Sequence, residues 1–272
     1  MKYNLRGVDY EVKVAGSGEP LLLIHGFSGS CRQWEPFVES WSAQYQLIMV
    51  DMLGHGGSAA PKQAERYGTE EVAQDLAVLL HHLRLEKVHL LGYSMGGRIA
   101  LSFTMQYPQL IHSLVLESSS PGLEHEEERQ ARRASDQALA ARIEQQGIDW
   151  FADYWGAIPL FESLRRLPKQ TQERLDQARR RNNPWGLAQS LRGIGTGQQP
   201  SWWHRLGDLH IPALLIAGEL DHKYCSIAQR MKRKLTDAQL EIVPQAGHNV
   251  HVEQPVLFDT IVKRFLDQRR MV

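Results

Sequence analysis

The stretch Val88-His89-Leu90-Leu91-Gly92-Tyr93-Ser94-Met95-Gly96-Gly97-Arg98 decides the fold. A short apolar run, typical of a buried strand, ends in Gly92-x-Ser94-x-Gly96, and the residues after it favour a helix. This is the nucleophile-elbow pattern, in which a tight strand-to-helix turn exposes a serine hydroxyl. Glycine is needed on both sides of Ser94 because a Cβ would collide with neighbouring backbone in so tight a turn. The following helix directs N–H groups and the positive end of its dipole towards the site.

Length and composition limit the possible functions. A chain of 272 residues fits one large α/β domain or a core with a modest insertion. Its formal net charge of zero gives no basis for bulk attraction to nucleic acid or an anionic membrane. Cys31 and Cys225 are too few for a disulfide framework, and no metal or cofactor motif is present. With no signal-peptide pattern and no apolar run near the roughly 20 residues of a membrane span, we expect a cytoplasmic protein. The oligomeric state is left open.

Buried apolar runs alternate with helical patterns along most of the chain, after an N-terminal hairpin over residues 3–14. The runs lie at 21–24, 47–50, 88–91, 113–116, 213–217 and 240–243. This alternation predicts an α/β fold with a mostly parallel, doubly wound sheet. Ligand sites in such sheets lie beyond the carboxyl ends of the strands.

The alternation of strands and helices stops between residues 119 and 200. This segment contains charged helical patterns separated by prolines, and no apolar strand. We therefore predict a core formed by residues 1–118 and 201–272, with residues 119–200 inserted as a helical cap over the site.

A serine is a weak nucleophile or base unless a histidine, itself oriented by a carboxylate, activates it. Asp221 follows the buried strand at 213–217, and His248 follows the last strand, so both are predicted at the same sheet edge as Ser94. Glu219 is the nearest rival for the acid but lies inside a turn. His251 is the competitor for the base but lies in the approach to the last helix. The predicted triad is Ser94, His248 and Asp221.

Stabilising negative charge on a reacting oxygen requires backbone N–H donors. The Met95 amide directly follows Ser94, and the Phe27 amide follows His25-Gly26 at the end of a strand. Phe27 and Met95 are therefore the predicted oxyanion donors. His25 and His55 lie near them in glycine-rich turns, where we expect them to shape the loops.

These features, all at one sheet edge and in this order, resemble the α/β-hydrolase superfamily over the whole chain. Arg98 stands one helical turn beyond Ser94, on a helix that is normally buried in this fold. Arginine is well suited to bidentate capture of a carboxylate. We therefore expect the partner to be a small-molecule substrate that carries several carboxylates.

Three motifs make the resemblance more specific. They are Gly92-Tyr93-Ser94-Met95-Gly96-Gly97-Arg98, Leu116-Glu117-Ser118-Ser119-Ser120-Pro121-Gly122-Leu123 and Ser190-Leu191-Arg192-Gly193-Ile194-Gly195-Thr196-Gly197-Gln198-Gln199-Pro200. They resemble the 2-succinyl-6-hydroxy-2,4-cyclohexadiene-1-carboxylate synthases of menaquinone biosynthesis, a family within the superfamily. The resemblance implies a cofactor-independent lyase that eliminates pyruvate from an enolpyruvyl cyclohexene, with the triad acting as a general base.

The same resemblance implies a set of substrate-binding residues in and beside the cap. The implied residues are Tyr93, Arg98, Arg132, Tyr154 and Arg179. Arg180 and Arg181, next to Arg179, are alternatives for the third arginine, and Trp155 is the alternative to Tyr154 as the cap aromatic.

Two other functions remain compatible with the sequence. One is a carboxylesterase or C–C bond hydrolase acting on a small acidic substrate, which would form an acyl-enzyme at Ser94. The other is a non-enzymatic ligand receptor on the same fold, for which an intact triad is not needed.

Overall fold

One sheet organises residues 1–270, the part of the chain that the computed structural model describes. Its strands are β1 (Lys2–Leu5), β2 (Val8–Ala15), β3 (Glu19–Ile24), β4 (Tyr45–Val50), β5 (Val88–Tyr93), β6 (Ile111–Glu117), β7 (Ala213–Gly218) and β8 (Ala238–Val243). Their order is β1-β2-β4-β3-β5-β6-β7-β8. β1, β2 and β4 pair antiparallel, whereas β4, β3, β5, β6, β7 and β8 pair in parallel. The predicted mostly parallel sheet is confirmed.

Nine helices occur in residues 1–270, some on the two faces of the sheet and some in the segment between β6 and β7. They are α1 (Glu35–Trp41), α2 (Thr69–His82), α3 (Met95–Gln106), α4 (Glu126–Ala157), α5 (Lys169–Arg180), α6 (Pro184–Ile194), α7 (His222–Lys234), α8 (Val250–Glu253) and α9 (Pro255–Asp267). Short 3-10 helices occur at Cys31–Trp34, Ala64–Tyr67, Pro108–Leu110, Pro159–Arg166 and Leu206–Asp208. No helix in residues 1–270 is both long enough and apolar enough to cross a membrane.

The central strands are buried on both faces because their side chains alternate between two cores. In β3, Leu22 and Ile24 pack into the core that contains residues of α2, α3 and α7, while Leu21 and Leu23 pack into the core of α1 and α9. All four side chains are fully buried. Each burial contributes about 1.5–3 kcal/mol, so the apolar runs fix the strands and place their carboxyl ends at one edge.

Helices occupy the segment predicted as a cap. α4, α5 and α6 lie between β6 and β7, and α4 is interrupted at Gly147, whose φ is 81° and ψ −176°. A small core joins α4 to α6 through residues such as Ile143, Phe151 and Leu187, and Phe27 of the main body packs against it. The helical character of the segment agrees with the sequence, while the boundaries at 119 and 200 stay predictions.

Candidate active site

The turn between β5 and α3 holds Ser94 in a strained conformation. Ser94 has φ 51° and ψ −108°, a region that costs a residue with a side chain about 1–3 kcal/mol. A Cβ on Gly92 would overlap the backbone of Gly96, and a Cβ on Gly96 would overlap the carbonyl of Ile24. The two glycines therefore let β5, α3 and β3 approach closely enough to present the serine hydroxyl at the sheet edge.

The three predicted triad residues form a continuous hydrogen-bonded chain. His248 Nδ1 lies 2.6 Å from Asp221 Oδ2, and His248 Nε2 lies 2.9 Å from Ser94 Oγ. A carboxylate can only accept, so Nδ1–H donates to Asp221 and Nε2 is left to accept the serine proton. His248 and Asp221 are buried, which shields the chain of hydrogen bonds from water. This geometry can remove a proton or generate a nucleophile.

The rival residues have other partners. Glu219 accepts a hydrogen bond from the Gln245 amide, and His251 binds the buried carboxylate of Glu117. His25 donates from Nδ1 to the carbonyl of Gly26 and accepts the Met52 amide at Nε2, which fits the expected role in shaping the loop.

The loop that carries Phe27 is pressed against the elbow. A Cβ on Gly26 would overlap the ring of Tyr93, and the first turn of α3 lies against the carbonyls of Ile24 and His25. The Met95 amide is the first of α3, where N–H groups have no partner inside the helix. This proximity supports Phe27 and Met95 as oxyanion donors, which stay a prediction.

Arg98 is a buried cation without a carboxylate partner among residues 1–270. Its Nη1 donates to the carbonyl of Ile194 at 2.9 Å and to Gln199 Oε1 at 3.3 Å, both neutral acceptors. Only 9 % of Arg98 is exposed, and burial lowers the pKa of its guanidinium to about 10. An anionic ligand beside Ser94 would supply the charge that the fold leaves out.

Arg132 lies on α4, close enough to Arg98 for its positive charge to help lower the pKa of the Arg98 guanidinium. Its Nε donates to Asp136 Oδ1 at 2.8 Å, one helical turn further on. Asp136 is buried and its second oxygen has no hydrogen-bond partner in the described chain. A buried carboxylate therefore orients Arg132, and the other guanidinium nitrogens have no hydrogen-bond partner within residues 1–270.

The structure distinguishes between Arg179 and Arg180. Arg180 pairs with Asp149, Asp153 and Asp176 on the protein surface. Arg179 lies over the ring of Phe161 at 5.6 Å and forms no ion pair within residues 1–270. Burial lowers the pKa of Arg179. The surface ion pairs thus argue against Arg180, while Arg179 as the third arginine, with Arg181 as its alternative, stays a prediction.

A cavity of about 1050 Å³ opens beside the triad. Phe27, Tyr93, Phe161, Arg179 and Arg181 are part of its lining, whereas Ser94, His248 and Arg98 lie outside it. It is bounded by the loop after β3, the C-terminal half of α5 and the residues around α8. The cavity therefore reaches Tyr93 and Phe161, whose rings lie beside His248, without including the triad itself.

Comparisons with known proteins show which family this chain belongs to. A family model for the alpha/beta hydrolase fold matches residues 19–255. A Bacillus subtilis protein, named provisionally as a 2-succinyl-6-hydroxy-2,4-cyclohexadiene-1-carboxylate synthase, is 47 % identical over 96 % of this chain and 95 % of its own length. The synthase of that name from Salmonella arizonae is 35 % identical over 88 % and 90 %. The chain belongs to this synthase family of the α/β-hydrolase fold.

Solved structures agree with membership in the synthase family. MenH from S. aureus superposes with a TM-score of 0.91 at 33 % identity, covering 96 % of this chain and 98 % of its own. An esterase from Thermogutta terrifontis, solved with malate bound, has a TM-score of 0.88 at 26 % identity and covers 100 % and 99 %. The fold is thus shared by synthases and esterases, and the site must distinguish them.

The two candidates for the cap aromatic, Tyr154 and Trp155, have different surroundings in the structure. Tyr154 is 39 % exposed and stacks on Trp150. Trp155 lies 5.3 Å from the ring of Phe27 and stacks on Phe151. Successive residues on a helix point about 100° apart, so only one of the pair can face the site. Trp155, the alternative, is thus the one of the two that packs against Phe27 in this synthase-family protein, and which of them meets a substrate stays a prediction.

Two tyrosines lie beside His248, and the sequence indicated only one of them. The ring centroid of the predicted Tyr93 lies 5.5 Å from that of His248. The ring centroid of Tyr224, on α7, lies 4.7 Å from it. Burial raises the pKa of both phenols. Tyr224 also lies near Arg98 and Arg132. The sequence feature that could have indicated Tyr224 is its position three residues after Asp221, in the first turn of a helix.

Proposed function

We propose that this protein eliminates pyruvate from 2-succinyl-5-enolpyruvyl-6-hydroxy-3-cyclohexene-1-carboxylate to give 2-succinyl-6-hydroxy-2,4-cyclohexadiene-1-carboxylate. The observation that carries the proposal is Arg98, a buried guanidinium without a carboxylate partner in residues 1–270, one helical turn beyond Ser94. A hydrolase of neutral esters has no use for such a group, whereas this substrate carries three carboxylates. Membership in the synthase family points to the same reaction.

The reaction begins with removal of a proton from the ring carbon next to the succinyl carbonyl. Ser94 Oγ takes this proton while it gives its own to His248 Nε2, and Asp221 stabilises the imidazolium that forms. The charge left on the substrate moves to the carbonyl oxygen as an enolate. The N–H groups of Phe27 and Met95 hold that oxygen in this proposal.

The enolate then expels the leaving group. Electrons move from the enolate through the ring alkene and break the bond from the ring carbon to the enolpyruvyl oxygen. The enolpyruvate that leaves takes up one proton at carbon and becomes pyruvate, and His248 can return the proton that Ser94 removed. Atoms and charge balance without an acyl-enzyme, a cofactor or water.

Three cations match the three carboxylates of the substrate. Arg98 lies next to the triad, Arg132 is held on α4 by Asp136, and Arg179 lies over Phe161 on the cavity side. Arginine is preferred for such contacts because its planar fork binds a carboxylate through two hydrogen bonds. Trp155 and Tyr93 provide apolar surface for the ring between them.

The experiment supplies the enolpyruvyl cyclohexene and couples released pyruvate to lactate dehydrogenase. We expect pyruvate release well above the spontaneous rate, and its loss in Ser94→Ala with the thermal melting temperature unchanged. A rate equal to the spontaneous one in the wild-type protein would reject the proposal.

The carboxylesterase alternative keeps one specific observation in its favour, the intact triad, and the esterase from Thermogutta terrifontis shares the fold. It predicts turnover of nitrophenyl esters of small acids, whereas the lyase proposal predicts negligible turnover. Measuring ester hydrolysis and pyruvate release on the same preparation separates the two. We also propose a cytoplasmic location, as expected from the sequence.

A further inference from the structure

Glu117 has no role in the proposed reaction, although it lies at the centre of the site. It is the last residue of β6, which lies between β5, the strand before Ser94, and β7, the strand before Asp221. Its carbonyl accepts the Ser94 amide at 2.9 Å, and the next amide, of Ser118, donates to the carbonyl of Ile216 at 2.8 Å. The backbone at this position therefore ties the nucleophile to the strand that supports the acid.

The side chain of Glu117 reaches the segment after β8, which carries His248. It is fully buried, and Oε1 accepts two hydrogen bonds from His251, from the backbone amide at 3.0 Å and from Nδ1 at 2.8 Å. Within residues 1–270 no lysine or arginine pairs with this carboxylate. His251 is three residues after His248 and is packed between the rings of Trp34 and Tyr93.

A second carboxylate holds the other amides of the same loop. Glu253, at the end of α8, accepts the Gly247 amide at 2.8 Å and the Asn249 amide at 3.2 Å. The amides on either side of His248 are thus fixed by Glu253, and the amide of His251 is fixed by Glu117. Hydrogen bonds from amides to a charged acceptor are about twice as strong as neutral ones.

We propose that Glu117 and Glu253 are positioning residues that fix the backbone around His248, so that its imidazole meets Ser94 Oγ and Asp221 together. This inference rests on the proposed function, in which His248 is the partner of Ser94. Neither glutamate needs to touch the substrate, so loss of either affects the proton transfer more than substrate binding. Small displacements of a catalytic group are costly because proton transfer requires hydrogen-bond distance.

The test compares Glu253→Ala, which removes both acceptors, with Glu253→Gln, which keeps one oxygen at the same place. We expect Glu253→Ala to lower kcat for pyruvate release about tenfold or more, with KM changed less than about twofold. Glu253→Gln keeps an acceptor for only one of the two amides and should recover part of that loss. Glu117→Gln, which keeps a buried oxygen for His251, should behave like Glu253→Gln. Glu241→Ala is the matched control, because Glu241 is a surface carboxylate of the strand before this loop and pairs only with Arg264 among residues 1–270.

A second measurement needs no substrate. The proton on His248 Nδ1, in its 2.6 Å hydrogen bond to Asp221, should give a far-downfield NMR signal. We expect it to be present in the wild type, in Glu253→Gln and in Glu241→Ala, and to be lost or broadened in Glu253→Ala. Wild-type kcat together with an unchanged signal in Glu253→Ala would overturn the inference, as would a loss that only follows the unfolded fraction. If the wild type releases no pyruvate, the proposed reaction fails and the NMR signal alone decides the inference.

Discussion

Arg98 is the residue at which stability and the proposed function make opposite demands. A buried guanidinium that hydrogen-bonds only to neutral oxygens carries a desolvation cost, and the nearby Asp136, which forms no ion pair with it, offsets that cost only in part. Burial therefore lowers the pKa of Arg98 to about 10. At neutral pH the group is still charged, so the cost is present in the ligand-free protein. A bound substrate carboxylate offsets it, and this converts the cost into affinity for an anion.

Replacing Arg98 should therefore damage turnover more than folding. We expect Arg98→Gln to lower kcat/KM by an amount equivalent to roughly 2–4 kcal/mol, the loss of one charge-assisted contact. The melting temperature of the free protein should fall little or rise. Arg180→Gln is the control, since Arg180 is already paired with three carboxylates on the surface. Steady-state pyruvate release and thermal melting measure both quantities, and wild-type kinetics in Arg98→Gln would contradict the prediction.

Single residues were predictable from the sequence where their position along the chain decides their place. Ser94, Asp221 and His248 each follow a buried apolar run, and parallel strands bring such positions to one edge. The choice between Tyr154 and Trp155 was not predictable, because a shift of one residue rotates a side chain by about 100° around the helix. Tyr224 was missed since an aromatic residue in the first turn of a helix usually packs into a core.

At the scale of elements, α4 is broken at Gly147, and its second half packs against Phe27. Gly147 has φ 81° and ψ −176°, a conformation essentially reserved for glycine. The second half of α4, after this break, carries Phe151 and Trp155 against Phe27. The sequence predicted helices in this segment from their charge and from the absence of an apolar strand. It gave no sign of the break, because an isolated glycine within a helical pattern is common.

Gly147→Ala tests the importance of the break. A Cβ at this position would meet no atom within 4 Å, so any effect comes from backbone conformation alone. We expect a loss of about 1–3 kcal/mol in the free energy of unfolding, together with lower kcat/KM because Trp155 shifts. Urea unfolding followed by tryptophan fluorescence measures the first quantity. Gly207→Ala serves as control because Gly207 has neither a positive φ nor a close neighbour, and equal stability of the two variants would contradict the prediction.

On the scale of the whole molecule, the lining of the cavity beside Tyr93 contains more cationic than carboxylate side chains, in a protein whose formal net charge is zero. The cavity is lined by several arginines that form no ion pair within residues 1–270, and they are Arg32, Arg174, Arg179 and Arg181. The carboxylates of the same cavity already have partners, some of which also line it. Glu11 pairs with the amino terminus, Glu35 with Lys13, and Asp51 accepts the amides of Cys31 and Gly57. Such an arrangement attracts an anion over a distance of several ångströms.

If the cavity guides a substrate with three carboxylates to the triad, kcat/KM must fall as salt is added while kcat stays constant. Screening shortens the range of the field to about 8 Å at physiological ionic strength. We expect the double variant Arg174→Gln/Arg181→Gln to lower kcat/KM about two- to fivefold at low salt and to flatten its dependence on salt. Arg84→Gln removes one exposed charge at the opposite edge of the sheet and should leave both quantities unchanged. Parallel salt curves for the wild type and the double variant would show that these arginines do not guide the substrate, because the field at the entrance would then come from elsewhere.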